Sequence, residues 1–159
     1  MHVYLTAPHY NKEQNNHMAM LGEIITDCGH SFQTMPTCAN TRLDLIEKCD
    51  LVIGALDWKQ VEGETVNVIE HIGSQGENSL VEVKSKNLNI PHAEVAYDFG
   101  IAQAVGRYII AMNQDPVDAS KILVNEADLV INTYAQLRKA LSNIVDLQAC
   151  IANKEEYGK

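Results

Sequence analysis

The run LVIGAL at residues 51–56 constrains the fold most, because it is apolar almost throughout and directly follows Asp50. An unbroken apolar strand of this kind is typical of the centre of a parallel sheet, where helices cover both faces. Four other short β-prone runs occur, at residues 2–7, 31–35, 107–112 and 128–131. We therefore predict a sheet of five strands in which residues 51–56 form a central one.

Between the strands lie segments whose apolar residues recur with the period of an α-helix. The last such stripe comprises Leu137, Leu141, Ile144 and Leu147. It predicts a single closing helix that is capped by Thr133. Residues 113–121 are predicted as a loop that could hold a helical turn, and the tail 153–159 as frayed. Strands that alternate with helices predict an α/β fold, a doubly wound parallel sheet with helices on both faces.

The chain has 159 residues, which suits one domain with a substantial core and is short for two. Residues 58–91 interrupt the alternation of strands and helices, since they are polar and show no firm period. A connection of this length is unusual in a compact domain. We predict an insertion or lid at about 58–91, which is either a surface excursion, a flap over a site or an arm that reaches a second subunit.

The net charge of −9 argues against a nucleic-acid polymer or an anionic membrane as the main partner. A nucleotide is still compatible, because it needs only a local positive patch or a helix N-terminus. No apolar run is long enough for a membrane span, and the N-terminus does not have the pattern of a signal peptide. The four cysteines are widely spaced, which is typical of reduced thiols. These features predict a cytoplasmic protein.

In a doubly wound sheet, ligands bind beyond the carboxyl ends of the strands, where the strand order reverses. Three segments are predicted to surround this cleft, at residues 6–10, 36–42 and 57–92. The candidates for binding a substrate are Thr6, Ala7, Pro8, His9, Arg42, Asp57 and His92. Arg42 could bind a phosphate or carboxylate, or simply be solvated. His92 could cap the following helix or contact a ligand.

Two carboxylates, Glu94 and Asp98, lie four residues apart in the helix pattern after His92, so they share one face. Asp98 is either a nucleophile or general base that faces the cleft, or a surface carboxylate that is solvated or paired with Arg107. Glu94 lies in the first turns, where the helix dipole already favours a negative charge. Tyr4, in the first strand, could satisfy its hydroxyl with a carboxylate of this helix.

The sequence contains none of the short motifs that mark common cofactor or catalytic sites. P-loop, G-x-G-x-x-G, H-E-x-x-H and G-x-S-x-G patterns do not occur in it. The cysteines form no C-x-x-C pair either. We therefore predict a site that uses no cofactor and no metal.

Four segments of the chain resemble, in order, the nucleoside 2-deoxyribosyltransferase family. They are VYLTAP at residues 3–8, LIEKCDLVIGAL at 45–56, AYDFGIAQAVGRYII at 96–110 and DLVINTYAQLRKAL at 128–141. The third segment is similar to the family signature x-x-E-L-G-x-A-x-A-x-x-K-x-V-I. The resemblance leaves out residues 58–90 and implies a flavodoxin-like fold.

The resemblance implies an enzyme that cleaves or transfers the N-glycosidic bond of a 2'-deoxynucleoside or its monophosphate through a covalent deoxyribosyl-enzyme. It implies that Asp98 is the nucleophile and that Tyr4 contacts it, with Glu94 as a second candidate. Asp98 stands where the family has Glu, His92 where it has a base-holding Asp, and Arg42 where it has another acid. These departures imply either a different substrate, such as one with a phosphate or an unusual base, or a loss of glycosyl chemistry.

Two hypotheses from different classes remain open. The first is a deoxyribosyltransferase-like enzyme, and the second is a non-catalytic nucleotide-binding or regulatory protein on the same scaffold. Both predict a small-molecule nucleoside or nucleotide as the partner. Family members complete their sites with residues of a neighbouring subunit, so the resemblance also implies a homo-oligomer, a dimer or larger.

Overall fold

The computed structural model describes residues 1–9, 12–35, 39–56, 93–114 and 121–157. The strands in this part of the chain are β1 (His2–Thr6), β2 (Ser31–Thr34), β3 (Leu51–Ala55), β4 (Tyr108–Met112) and β5 (Leu129–Ile131). Its helices are α1 (Lys12–Asp27), α2 (Ala39–Lys48), α3 (Ala93–Ala104), α4 (Lys121–Glu126), α5 (Tyr134–Ser142) and α6 (Ile144–Tyr157). The insertion that we predict at 58–91, and the candidates Asp57 and His92, lie outside the described residues.

The strands form one parallel sheet in the order β2-β1-β3-β4-β5. This is the flavodoxin-like order of a doubly wound sheet, and it confirms the predicted fold class. The run 51–56 supplies β3, which lies in the middle of the sheet and is buried throughout. The order reverses between β1 and β3, where Thr6 is paired with Gly54. This is the edge at which a ligand site is expected.

Helices cover both faces of the sheet because alternate residues of each strand point to opposite sides. Val3 and Leu5 of β1 pack with α1, α5 and α6. Tyr4 packs with α2, α3 and α4. We call this second side the α3 face of the sheet. None of the described helices is both long and apolar enough to cross a membrane.

The closing helical pattern consists of two helices, so the prediction of a single helix was wrong. Asn143, between α5 and α6, has φ −91° and ψ 69°, which lie outside the helical region. The break changes the phase of the apolar stripe. Leu137, Leu141 and Leu147 are buried as predicted, whereas Ile144 is 41% exposed.

Two further helical stretches differ from the prediction. Helix α4 occupies 121–126, so it begins at the last residue of the predicted loop, and it buries Leu123 against the α3 face. Helix α6 continues to Tyr157, although we predicted a frayed tail from residue 153. The ion pair between Lys154 and Asp128, at 2.6 Å, ties this last part of α6 to the start of β5.

Thr133 begins α5 with a reciprocal cap. Its side chain accepts a hydrogen bond from the backbone N–H of Gln136, and the Gln136 side chain accepts one from the backbone N–H of Thr133, each at 3.2 Å. We expect Thr133→Ala to lower the free energy of unfolding by about 1 kcal/mol, because one N–H at the helix start loses its acceptor. Urea denaturation measures this change. Thr133→Ser keeps the hydroxyl, and an equal loss in that variant would contradict the capping role.

Candidate active site

Asp98 lies on the side of α3 that packs against the sheet, and its side chain is fully buried. Its position follows from the helix period, since Val95 and Ala102, three residues before and four after, are buried on the same side. A carboxylate therefore lies within the apolar stripe with which α3 packs against the sheet. This burial excludes the interpretation of Asp98 as a solvated surface residue.

Helix α3 approaches β3 closely because residue 54 is a glycine. The ring of Phe99 lies over Gly54, and a Cβ added at Gly54 would lie only 2.0 Å from Phe99 Cε1. Real side chains do not approach so closely, so the contact requires a residue without Cβ. Phe99 is the neighbour of Asp98 in the chain, and this contact thus sets how deep the carboxylate lies.

Two hydroxyl groups of β1 hold one oxygen of the Asp98 carboxylate. Tyr4 Oη donates a hydrogen bond to Asp98 Oδ2 at 3.2 Å, and Thr6 Oγ1 donates to the same oxygen at 2.7 Å. Tyr4 and Thr6 are two residues apart, so both point to the α3 face. Thr6 Oγ1 also lies 2.9 Å from Met35 Sδ, but a carboxylate is the stronger acceptor. The contact of Tyr4 with a carboxylate of this helix is the one that we predicted.

Arg42, in the first turn of α2, lies between the two carboxylates of α3. Its Nη2 is 2.9 Å from Glu94 Oε2, and its Nη1 is 3.5 Å from Asp98 Oδ1. One cation thus counteracts the repulsion between carboxylates four residues apart. The alternative pairing of Asp98 with Arg107 is wrong, because the cation beside Asp98 is Arg42, whereas Arg107 donates to the Glu47 carbonyl oxygen at 2.6 Å.

Burial raises the pKa of the Asp98 carboxyl above its ordinary value. The hydrogen bond from Thr6, the charge of Arg42 and the hydrogen bond from Tyr4 act in the opposite direction and only partly offset burial. Burial and the adjacent Asp98 also raise the pKa of the Tyr4 hydroxyl, which therefore stays protonated and donates. The two carboxylate oxygens differ as a result, since Oδ2 accepts both hydroxyls whereas Oδ1 faces Arg42 at a longer distance.

The other substrate-binding candidates occupy different positions. Ala7 and Pro8, just after β1, are buried, and His9 is exposed. Thr6 is fully buried and donates to Asp98, a contact that the period of the strand could have indicated, because Thr6 shares a face with Tyr4. Arg42, the candidate for binding a phosphate or carboxylate, has both terminal nitrogens on carboxylates of the protein itself.

One residue at this edge of the sheet was missed in the sequence. Asn113 directly follows β4 and is 5% exposed. No local motif distinguishes it, although a polar residue at the end of an apolar strand is the signal that could have been used. Among the described residues, no group of three or more His, Cys, Asp or Glu side chains is arranged to hold a metal ion.

No protein-family model and no curated protein matches the chain. Solved structures with a similar fold include a 2-deoxyribosyltransferase from the psychrotolerant bacterium Bacillus psychrosaccharolyticus, with a TM-score of 0.58 and 12% identity, over 87% of this chain and 90% of that one. A conserved protein from Enterococcus faecalis V583 has a TM-score of 0.54 and 14% identity, over 89% and 96% of the two chains. A CMP N-glycosidase from Clostridium botulinum has a TM-score of 0.49 and 14% identity, over 89% and 98%.

At these identities the likeness establishes a shared fold. The flavodoxin-like sheet of this chain is the fold of a 2-deoxyribosyltransferase. The structures similar to this protein thus include a member of the family that the four sequence segments resemble.

Proposed function

We propose that this protein is an enzyme that cleaves or transfers the N-glycosidic bond of a 2'-deoxynucleoside or its monophosphate, with Asp98 as the nucleophile. The observation that carries the proposal is the Asp98 carboxylate, which is fully buried, with one oxygen held by Tyr4 and Thr6 of β1. Burying a charge is unfavourable, and a perturbed acid at the ligand-binding edge of such a sheet is typical of a catalytic group. The fold shared with a 2-deoxyribosyltransferase supports the same chemistry.

In the proposed first step, Oδ1 of Asp98 attacks the anomeric carbon of the sugar. The bond from this carbon to the base breaks, its electron pair leaves with the base nitrogen, and the base takes a proton from solvent water. A deoxyribosyl ester of Asp98 results. In the second step, a nitrogen of another base or a water molecule attacks the same carbon and gives up its proton to solvent water, and the carboxylate leaves. Two displacements on opposite sides retain the configuration of the sugar.

The neighbours of Asp98 have distinct tasks in this scheme. Tyr4 and Thr6 hold Oδ2, which leaves Oδ1 as the oxygen that attacks. Arg42 keeps the carboxylate ionised before attack and stabilises it again when it leaves. Glu94, at 2.9 Å, positions Arg42. Because Asp98 is 0% exposed, the substrate reaches it only when the site opens.

The test is to incubate the protein with the four 2'-deoxynucleosides and their 5'-monophosphates, with and without a second base, and to separate the products by liquid chromatography. Free base without an acceptor demonstrates hydrolysis. A new nucleoside in the presence of the acceptor demonstrates transfer. Intact substrate in every incubation contradicts the proposal.

A second candidate function is a non-catalytic nucleotide-binding or regulatory protein on the same scaffold. The contact of fully buried Asp98 with Arg42 favours it, since an internal ion pair can be purely structural. Nucleotide binding by calorimetry, together with no product in any incubation, would support this candidate over the enzyme.

Thr6→Val is expected to move the acid limb of the pH–activity profile to higher pH. The pKa of Asp98 is already raised, and the variant loses the hydrogen bond that most favours the ionised, nucleophilic form. At a pH below the limb, kcat/KM should fall about tenfold, the usual effect of one hydrogen bond to a charged group. Profiles of kcat/KM against pH measure the shift. Thr6→Ser retains the donor, and a limb that moves equally in both variants would contradict the assigned role.

A further inference from the structure

The side chain of Asn113 is a buried polar group that the catalytic scheme does not use. It is 5% exposed, and its backbone N–H donates to the Ile131 carbonyl oxygen at 2.8 Å. Within the part of the chain that the structure describes, its side-chain oxygen Oδ1 is buried and has no hydrogen-bond partner. Buried amide oxygens are nearly always paired, so an exception calls for a functional explanation.

The sheet places Asn113 on the same side as the catalytic group. Ile109 and Ala111 of β4 pack on the α3 face, and Ile110 and Met112 pack on the opposite one. The hydrogen bond of Asn113 to β5 continues the strand ladder one residue beyond Met112, so the alternation still holds there. Asn113 therefore belongs to the α3 face, together with Asp98.

The spacing of the strands beside the two groups suits one substrate molecule. Strand β3 separates β1 from β4, and Gly54 pairs with Thr6 on one side and with Ala111 on the other. Since adjacent strands are about 4.8 Å apart, β4, which Asn113 directly follows, lies roughly 10 Å across the sheet from β1, whose hydroxyls hydrogen-bond Asp98. A nucleoside whose anomeric carbon is at Asp98 is long enough to bring one of its polar groups to this position.

We infer that Asn113 determines substrate specificity by accepting, through Oδ1, a hydrogen bond from an uncharged N–H or O–H donor of the substrate. This inference rests on the proposed function. The donor is either the exocyclic amino group of the base or a hydroxyl of the sugar, because both supply the hydrogen that a buried amide oxygen needs. A substrate without that donor would leave Oδ1 unpaired and be rejected.

The experiment compares pairs of substrates that differ in one donor. One pair is 2'-deoxyadenosine and purine 2'-deoxyriboside, and a second is 2'-deoxycytidine and the 2'-deoxyriboside of 2-pyrimidinone; in each pair a hydrogen replaces the exocyclic amino group of the base, which tests that donor alone. The parent nucleosides are also compared with their 3'-deoxy and 5'-deoxy analogues, which tests the two hydroxyls. Each kcat/KM is measured with the natural protein and with Asn113→Leu, which is similar in size but has no acceptor. Asn132→Leu is the matched control, because Asn132 follows β5 and is exposed.

In one comparison, we expect the natural protein to prefer the donor-bearing substrate by at least about tenfold. Asn113→Leu should lose this preference by lowering kcat/KM for the donor-bearing substrate alone, and Asn132→Leu should keep it. The comparison in which the preference disappears identifies the donor. Asn113→Leu should also raise the melting temperature, because it removes an unpaired buried polar atom. A residue with a purely structural role would show the opposite change in stability.

The inference would be overturned if Asn113→Leu kept the preference in every comparison, or if it lowered kcat/KM equally for all substrates. If the leucine variant does not fold, Asn113→Ala provides the same comparison. If the natural protein releases no base from any substrate, the proposed function fails first. Calorimetric affinities for the same pairs then decide the role of Asn113, because a binding preference that Asn113→Leu does not alter would refute it independently of catalysis.

Discussion

Asp98→Ala should lower kcat for base release by at least about 10⁴-fold, because no ester with the sugar can form. The hydroxyls of Tyr4 and Thr6, which hydrogen-bond Asp98 in the natural protein, do not take over, because neutral hydroxyl groups are much weaker nucleophiles than a carboxylate. Initial rates of base release at saturating substrate measure the effect. The decrease should appear in kcat and kcat/KM alike, as is usual when the group that forms the covalent bond is removed.

Three further variants distinguish the role of the nucleophile from the roles of the residues around it. Asp98→Asn keeps the shape of the side chain and should be as inactive as the alanine variant. Asp98→Glu supplies the carboxylate of the family that the sequence resembles and should remain clearly more active than Asp98→Asn. Glu94→Gln should lower kcat only about tenfold, because it weakens the ion pair that positions Arg42. Full activity in Asp98→Ala with none in Glu94→Gln would transfer the nucleophilic role to Glu94.

The stability of Asp98→Asn provides an independent check on the same group. The pKa of Asp98 is raised in the folded protein, so the natural protein loses stability as pH rises from the ordinary aspartate pKa through the raised value. The asparagine variant does not have this loss. Its stability relative to the natural protein should therefore improve with increasing pH over that window, which urea denaturation at several pH values can follow.

Gly54→Ala should lower the free energy of unfolding by about 3 kcal/mol, at the upper end of the range for an overpacked core. The added methyl group would lie 2.0 Å from Phe99 Cε1 and 2.5 Å from Cζ, and the ring is only 1% exposed. Helix α3 must move away from β3 to relieve the clash. Because Asp98 precedes Phe99, base release should fall about 100-fold as well, the cost of displacing a reacting group by about an ångström.

Gly100→Ala is the matched control on the same helix. A Cβ at Gly100 meets nothing within 4 Å, and alanine is the better helix former. This variant should therefore raise the free energy of unfolding by about 0.5–1 kcal/mol. Adding Phe99→Ala to Gly54→Ala should restore part of the stability that the two single changes lose together, since the methyl group then has room. Destabilisation by Gly100→Ala, or strictly additive losses at residues 54 and 99, would contradict the packing contact.

The fold could be predicted because its signals are local. An unbroken apolar run such as residues 51–56 fits a strand that is covered on both faces, and it forms the middle strand β3. The end of α5 could not be predicted in this way. Asn143 interrupts the helix for one residue, so the apolar residues on either side still resemble one continuous stripe, although Ile144 has turned towards solvent.

The site was predictable only in part, because its central contacts join residues far apart in the chain. Glu94 and Asp98 could be recognised as a pair on one helix face. Arg42, which lies between them, is 52 residues before Glu94, and no local pattern indicates that a cation will meet them. The clearance that Gly54 gives to the Phe99 ring likewise depends on how closely α3 packs on the sheet.

The most direct test of the proposed mechanism is a search for the covalent intermediate. The protein is mixed with the 2'-deoxynucleosides and their monophosphates, quenched with acid and analysed by mass spectrometry. Trypsin should release residues 87–107, which contain both carboxylates of α3, as one peptide. We expect this peptide to carry the mass of one deoxyribosyl group, located on Asp98 by fragmentation and absent from Asp98→Asn. Base release without any such adduct, or an adduct located on Glu94, would contradict Asp98 as the nucleophile.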